Sequence, residues 1–428
     1  MKRERLTALL LALVLALSLA ACAQQANYTT DKLNVWIWDE SQRQTLEELA
    51  APWAQKSRIE VVISVRDEES YWEEVSGGLM PDLMWVDDAH LGELAEKGAL
   101  LQLDEQVKSS RKLALKEFPQ AARDALTLNG HTYAVPMSTQ TWALWYNRAM
   151  FDSIQHSYPD ETWTWEQVRS AAQELTDRAG GHYGIVIPCA EPSAWYQMIY
   201  AYGGSVVAAD ENGAQVSGWQ DGGTVKAMNT LSGMIVESMP SQIAMDELGA
   251  ARLFAEGDAG MILQSRWQAQ ELLKNSGSGQ WACTLLPYED LDGSGECGEG
   301  ERICLTEAVG WAVSARSTDT NAAFELLEVL GGSAARKTLN PEPPTGEDGE
   351  AVETPLTPYD RMEQEAVLVS RPRQLPGESW EDYAVNTTMY TAWNDPSRMS
   401  AMLTVQHRFT QSELLDRQPP AAETETES

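Results

Sequence analysis

The 428-residue sequence predicts an α/β protein built on a mainly parallel sheet covered by helices. Two observations carry this. Short apolar runs alternate with helical patterns through the first hundred residues, and a hydrophobic content of 43% over this length can bury the cores of two or three domains. Leu33–Trp38 reads as the first buried strand, and a helix follows from Ser41 with Leu46, Leu49 and Trp53 on one side. Pro52 interrupts that helix and is expected to kink it. Ile59–Val65 is the second strand and Asp82–Val86 the third. Leu91–Lys97 is helical, and Gly98 is placed to stop it. Thr132–Asn147 is a long extended stretch. Thr164 and Gln167 then open a helix with a capping-box spacing. Further helices are expected over 193–202, 223–237, 248–256 and 321–330. Asn340–Pro358 is rich in Pro, Glu and Gly and reads as a mobile insertion, and Arg417–Ser428 as a disordered tail.

The N-terminus carries an address. Met1-Lys2-Arg3-Glu4-Arg5 is basic, Leu6–Leu17 is apolar apart from Thr7, and the run ends on Leu19-Ala20-Ala21-Cys22. This series resembles the bacterial lipobox. The resemblance implies a signal peptide over 1–21, a lipid on Cys22 and a tether over 22–32. The apolar run is shorter than the roughly 20 residues a bilayer needs.

Charge excludes one class of partner. The net charge of −33 repels phosphate backbones, so nucleic acid is not expected. The other cysteines are Cys189, Cys283, Cys297 and Cys304, with no Cys-x-x-Cys pair, and the five histidines are scattered. No zinc-type spacing exists, and neither a metal site nor a cofactor is expected. Cys297 and Cys304 flank a Gly/Glu-rich turn and could pair in an oxidising compartment; buried thiols are the alternative. Sixteen tryptophans against five phenylalanines suit a pocket that stacks on flat, hydroxylated ligands, although most Trp rings belong in cores.

A family resemblance follows from several blocks. Pro81-Asp82-Leu83-Met84-Trp85-Val86-Asp87-Asp88 with Leu94–Leu101 is similar to a block of the family 1 extracellular solute-binding proteins, the group containing the maltose-binding protein. Tyr133-Ala134-Val135-Pro136, Leu144–Asn147, Trp163-Thr164-Trp165, Glu191-Pro192 with Gly203-Gly204, Phe254–Met261 with Trp267, and Val309–Ser314 resemble later blocks in family order. The C-terminal quarter departs from the pattern. The resemblance implies a two-lobed, periplasmic-binding-protein type II-like fold with a ligand cleft between lobes. Lobe 1 is then 33–138 and 306–339, and lobe 2 is 139–305 and 359–416. It also implies a monomer that hands a small carbohydrate to the permease of an ABC importer.

Sugar recognition needs flat apolar faces and charged or amide groups for hydroxyls. Ligands of open α/β sheets gather at the carboxyl ends of strands. The candidates there are Trp38, Asp39 and Glu40 after the first strand, Asp87 and Asp88 after the third, and Gln140 and Trp142 in the crossover. Glu191 and Trp195 open a second-lobe helix, and Trp267 and Trp311 sit in matched blocks. For Trp142 and Trp311 core packing is the competing reading. Tyr71, Trp393 and Arg371 are read as structural. No Gly-x-Ser-x-Gly, His-Glu-x-x-His or phosphate-loop motif is present, so no catalytic residue is assigned. The rival readings are a non-sugar solute (polyamine, peptide or glycerol phosphate) and, further off, a lipoprotein glycoside hydrolase.

Overall fold

The computed structural model describes residues 29–417 except 114, 212, 266–267, 270–279, 340–358, 360–361, 363–364, 368 and 373–382. Cys22, the leader, Trp267, the Pro/Glu-rich insertion and residues 418–428 lie outside the described residues.

Strand β1 (Lys32–Ile37) alternates its side chains between two cores. Leu33, Val35 and Ile37 enter one apolar cluster and Trp36 the other, as the two-residue period of a strand requires. Helix α1 (Glu40–Ser57) is capped by Asp39, whose Oδ1 accepts from Ser41 N at 2.8 Å. Pro52 lies inside this helix and does not interrupt it, which corrects that part of the expectation. Pro52 is exposed, so the carbonyl its ring leaves without a donor is open to water, while Leu46 and Ala50 hold the helix to the sheet. Strand β2 (Glu60–Val65), helix α2 (Glu68–Ser76), strand β3 (Leu83–Asp87) and helix α3 (Asp88–Glu96) complete the first alternation. Gly98 ends the last of these with φ 64°, as read from the sequence.

The chain then leaves this lobe along β4 (Ala134–Gln140) and enters a second sheet as β5 (Trp142–Asn147). The second lobe adds α4 (Trp165–Leu175), β6 (Tyr183–Val186), α5 (Pro192–Ala201), α6 (Gly222–Ser238), β7 (Ala259–Ser265) and β8 (Trp281–Thr284). Thr164 and Gln167 form the expected capping box of α4. The helix expected over 248–256 is Ala250–Glu256; a separate short helix, Gln242–Leu248, precedes it, and the two are parted at Gly249, whose φ of 83° a β-carbon would strain. Strand β9 (Cys304–Val313) returns to the first lobe, α7 (Thr320–Leu330) packs there, and β10 (Ser370–Pro372) and α8 (Met399–Arg417) close the described chain.

The first sheet has the order β10-β9-β3-β1-β2, with β4 also paired to β9; the second has the order β8-β5-β7-β6. Strands β1, β2 and β3 are parallel, whereas β9 runs antiparallel to both β3 and β4. Each lobe buries its own core. One cluster centres on Trp142, Trp165, Trp195 and Trp219, and two others lie on the opposite faces of the first sheet.

The expected cysteine pair is also corrected. Cys304 is buried, its Sγ accepting from Trp142 N at 3.2 Å, while Cys297 is exposed on the preceding loop, and no disulfide joins them. Among the described residues no helix is long and apolar enough to cross a membrane.

Candidate functional site

Among the described residues the antiparallel strands β4 and β9 cross between the lobes, and the site is built around them. Gln140, the last residue of β4, lies opposite Glu307 of β9. Both are half-buried. On the second-lobe side, the fully buried Gln197 of α5 accepts from Leu305 N at 2.7 Å and so fixes the start of β9. On the first-lobe side, Asp88 Oδ1 accepts from Ala308 N at 3.0 Å. Asp88 therefore positions the crossing strand through that oxygen.

The first lobe presents an aromatic and acidic wall. Trp38, half-buried just after β1, meets Tyr71 edge-on at 5.1 Å and Trp85 at 5.2 Å, and lies tilted to Trp72 at 5.8 Å. Trp72 stacks face to face on His90, with centroids 3.5 Å apart. Asp87 caps α3: its Oδ1 accepts from His90 N at 2.8 Å and contacts His90 Nδ1 at 2.7 Å. An open hollow of ≈ 520 Å³ is lined by Glu68, Glu69, Trp72, Glu73, Ser76 and His90. Tyr71 is buried, its hydroxyl donating to Trp85 O at 2.6 Å.

The second lobe offers Glu191, at the start of α5, whose Oε2 accepts from Gln268 Nε2 at 2.9 Å. Desolvation raises the pKa of Glu191; Gln268 opposes that shift and the charge on Glu307 adds to it. Glu68 is raised by desolvation, then by Asp87 and Glu307, with His90 pulling the other way. Glu307 thus acts on carboxylates of both lobes. The arrangement sets partly desolvated carboxylates of both lobes within electrostatic reach of Glu307, with the half-buried Trp38 on the first-lobe side, groups suited to accepting hydroxyl or N–H donors against a flat face.

Not every sequence candidate reaches this cleft. Trp195 is wholly buried against Tyr196, Trp219 and Trp393, and its Nε1 donates to Cys189 O at 3.2 Å. Trp142 is 1% exposed in the second-lobe core, and Trp311 packs edge-on to Trp85 at 5.7 Å inside the first. These three corrections share one cause: the strand or helix that carries each ring turns it inward, where it has no face left for a ligand. Asp39 is engaged in capping α1, and Glu40 is exposed beside Arg43 at 3.7 Å. Trp38, Asp87, Asp88, Gln140 and Glu191 remain at or beside the crossing strands. Sequence reasoning missed Glu68, Trp72, His90, Gln268 and Glu307. Glu307 had a signal, being a lone carboxylate inside the otherwise uncharged strand Cys304–Val313.

Comparison with known proteins agrees with this architecture. The family described as "Bacterial extracellular solute-binding protein" matches residues 38–337. The chain spans about half the length of the first curated relatives it matches, being 19% identical over 237 residues to a binding protein of Brucella abortus (54% of this chain, 56% of that protein). The maltodextrin-binding protein MdxE of Bacillus subtilis is 23% identical over 277 residues, 61% of this chain and 63% of its own. Among solved structures, the sugar-binding protein MalE of Xanthomonas citri superposes with a TM-score of 0.70 at 15% identity, covering 90% of this chain and 98% of its own. A Thermotoga lettingae solute-binding protein bound to α-D-tagatose gives 0.69 at 16% identity, over 90% and 100% of the two chains. At these identities the structural likeness speaks for the two-lobed fold.

Proposed function

The chain belongs to the bacterial extracellular solute-binding proteins, and from that premise we propose that it captures a carbohydrate between its lobes for an ABC importer. The observation that carries the reading is the set of carboxylates from both lobes around Glu307, namely Asp87, Glu68 and Glu191, with the half-buried Trp38 offering an apolar face. Relatives that bind maltodextrin and neighbours solved with tagatose or cycloalternan support the choice of ligand class. An acidic cleft disfavours phosphate esters. We take lobe 1 as 33–138 with 306–339 and lobe 2 as 139–305 with 359–416. We take the working form to be a monomer that alters no bond in its ligand.

Thermal denaturation against a panel of mono- and oligosaccharides, polyols and polyamines tests this. A cognate sugar at a hundredfold excess over Kd is expected to stabilise the protein by about 2.7 kcal/mol and to be recovered unchanged. Stabilisation by a polyamine and by no sugar would overturn the carbohydrate reading.

The same proposal places the protein outside the cell on a lipid carried by Cys22. Cys22→Ser is expected to move it from the membrane fraction to the soluble one. A variant that stays membrane-bound with unaltered processing would sink the anchor.

A further inference from the structure

The loop joining β8 to β9 lies outside the ligand cleft, and the cleft chemistry makes no use of it. Its sequence is Asp290-Leu291-Asp292-Gly293-Ser294-Gly295-Glu296-Cys297-Gly298-Glu299-Gly300-Glu301. Side-chain oxygens stand at the first, third, fifth and twelfth places, with glycine at the sixth. That is the spacing of the EF-hand calcium loop, with serine where the pattern has Asp or Asn at the fifth place. Such a spacing works because a ring of hard oxygens can wrap one ion only if the chain turns sharply in its middle. Gly295 makes that turn with φ 81°.

The fold brings the expected donors together. Carboxylate oxygens of Asp290, Asp292 and Glu301 all lie within 4.8 Å of one another. Glu301 is only 4% exposed; backbone amides of Leu291, Asp292 and Gly298 donate to it at 2.7–3.2 Å and fix its place at the loop's mouth. Asp290 Oδ2 accepts from Gly295 N at 3.0 Å, while its Oδ1 is buried with no hydrogen-bond partner among the described residues. A buried carboxylate oxygen without a donor is costly, and like charges held this close repel. Arg371 lies beside Gly300, and two other basic groups near the loop make their bonds outside the carboxylate cluster. Lys226 pairs with Glu289 at 2.6 Å, and the Arg302 guanidinium donates to the carbonyls of Leu286 and Glu161.

We propose that this loop is a calcium site. A divalent cation would fill the missing partner of Asp290 Oδ1, cancel the repulsion among the three carboxylates and clamp the two ends of the segment that leads into β9. All-oxygen donors select a hard ion over zinc, and a flexible loop suits calcium better than the strict octahedron of magnesium. The neutral Ser294 leaves the set one charge short of the full pattern. The affinity then belongs near the weak end of such loops, with Kd on the order of 10⁻⁴–10⁻³ M, the range extracellular modules use.

Calorimetric titration of CaCl₂ into the EDTA-stripped full chain, with MgCl₂ in parallel, tests it without reference to the sugar. A single saturable calcium site is expected, with weaker magnesium binding and a rise in melting temperature on adding calcium. Asp292→Asn, at an exposed position where the amide oxygen can keep the bond from Ser294 N, is expected to weaken calcium by about tenfold or more, since ligand charge sets affinity in these loops. Asp290→Asn should do the same. Absence of saturable binding up to about 10 mM calcium, an order of magnitude above that range, would overturn the proposal. So would binding that both variants leave unchanged, because the many surface carboxylates would then be its source.

Discussion

Trp195→Ala is expected to cost about 3–5 kcal/mol of stability, read as a lowered urea midpoint at unchanged m, and to leave ligand affinity in the folded protein untouched. The ring is completely buried, meets Tyr196, Trp219 and Trp393 with centroids 4.4–6.2 Å away, and holds Cys189 O by its Nε1. Truncation would open a cavity in the second-lobe core and orphan that carbonyl. Trp267, whose placement rests on sequence alone, provides the contrast. Trp267→Ala is expected to reduce affinity by on the order of 2 kcal/mol with little change in the ligand-free melting point. If Trp195→Ala weakened binding without destabilising, its assignment to the core would be wrong.

The second large effect is in pH. The pKa of Glu191 is raised by its dry surroundings at the start of α5, and that of Glu68 by desolvation and by Asp87 and Glu307. A carboxyl whose folded pKa lies above its unfolded value holds its proton more tightly in the folded state. Its contribution to stability is thus full below the ordinary 4.5 and is lost as pH rises through the folded value. Ligand affinity runs the other way, since a hydroxyl donates more strongly to the carboxylate than to the neutral acid. Affinity is therefore expected to begin falling at a pH above 4.5, as the raised carboxyls take up protons. Glu191→Gln should weaken binding at neutral pH by about 1.5–3 kcal/mol and move the acid limb to the values set by the remaining groups. Affinity that stayed flat from neutral pH to 4.5 would remove these carboxylates from the site.

These effects also mark where sequence reasoning succeeds. Strands β1 and β3, the stop at Gly98 and the cap at Thr164 are decided within a few residues, by apolar runs and by local hydrogen bonding, so they can be read directly. The direction of a tryptophan is not local. Trp142, Trp195 and Trp311 stand at strand or helix positions that resemble cleft positions, and the facing element alone decides that they are core. Glu68 is hidden among Glu69, Glu73 and Glu74 on one helix, and only tertiary placement sets it beside Asp87. The calcium loop escaped a scan built around thiol and imidazole spacing, because its donors are ordinary-looking acids.

The ladder between β4 and β9 has a mechanical consequence. Two strands bonded edge to edge form a flat strip that bends readily out of its plane but resists shear within it. In-plane sliding must break hydrogen bonds worth about 0.5–1.5 kcal/mol apiece. The strip spans the gap between the lobes and slips register between Val309 and Gly310. That slip is a crease in the ladder, and it lies at the edge of the first sheet, where β9 is also bonded to β3 through Val309 opposite Asp87 and Gly310 opposite Val86. A paired strip of this kind favours bending over sliding, a flexure in place of a loose joint. Glu307 rides on the strip two residues from the crease, so a swing of either lobe changes the field that this one carboxylate places on both walls.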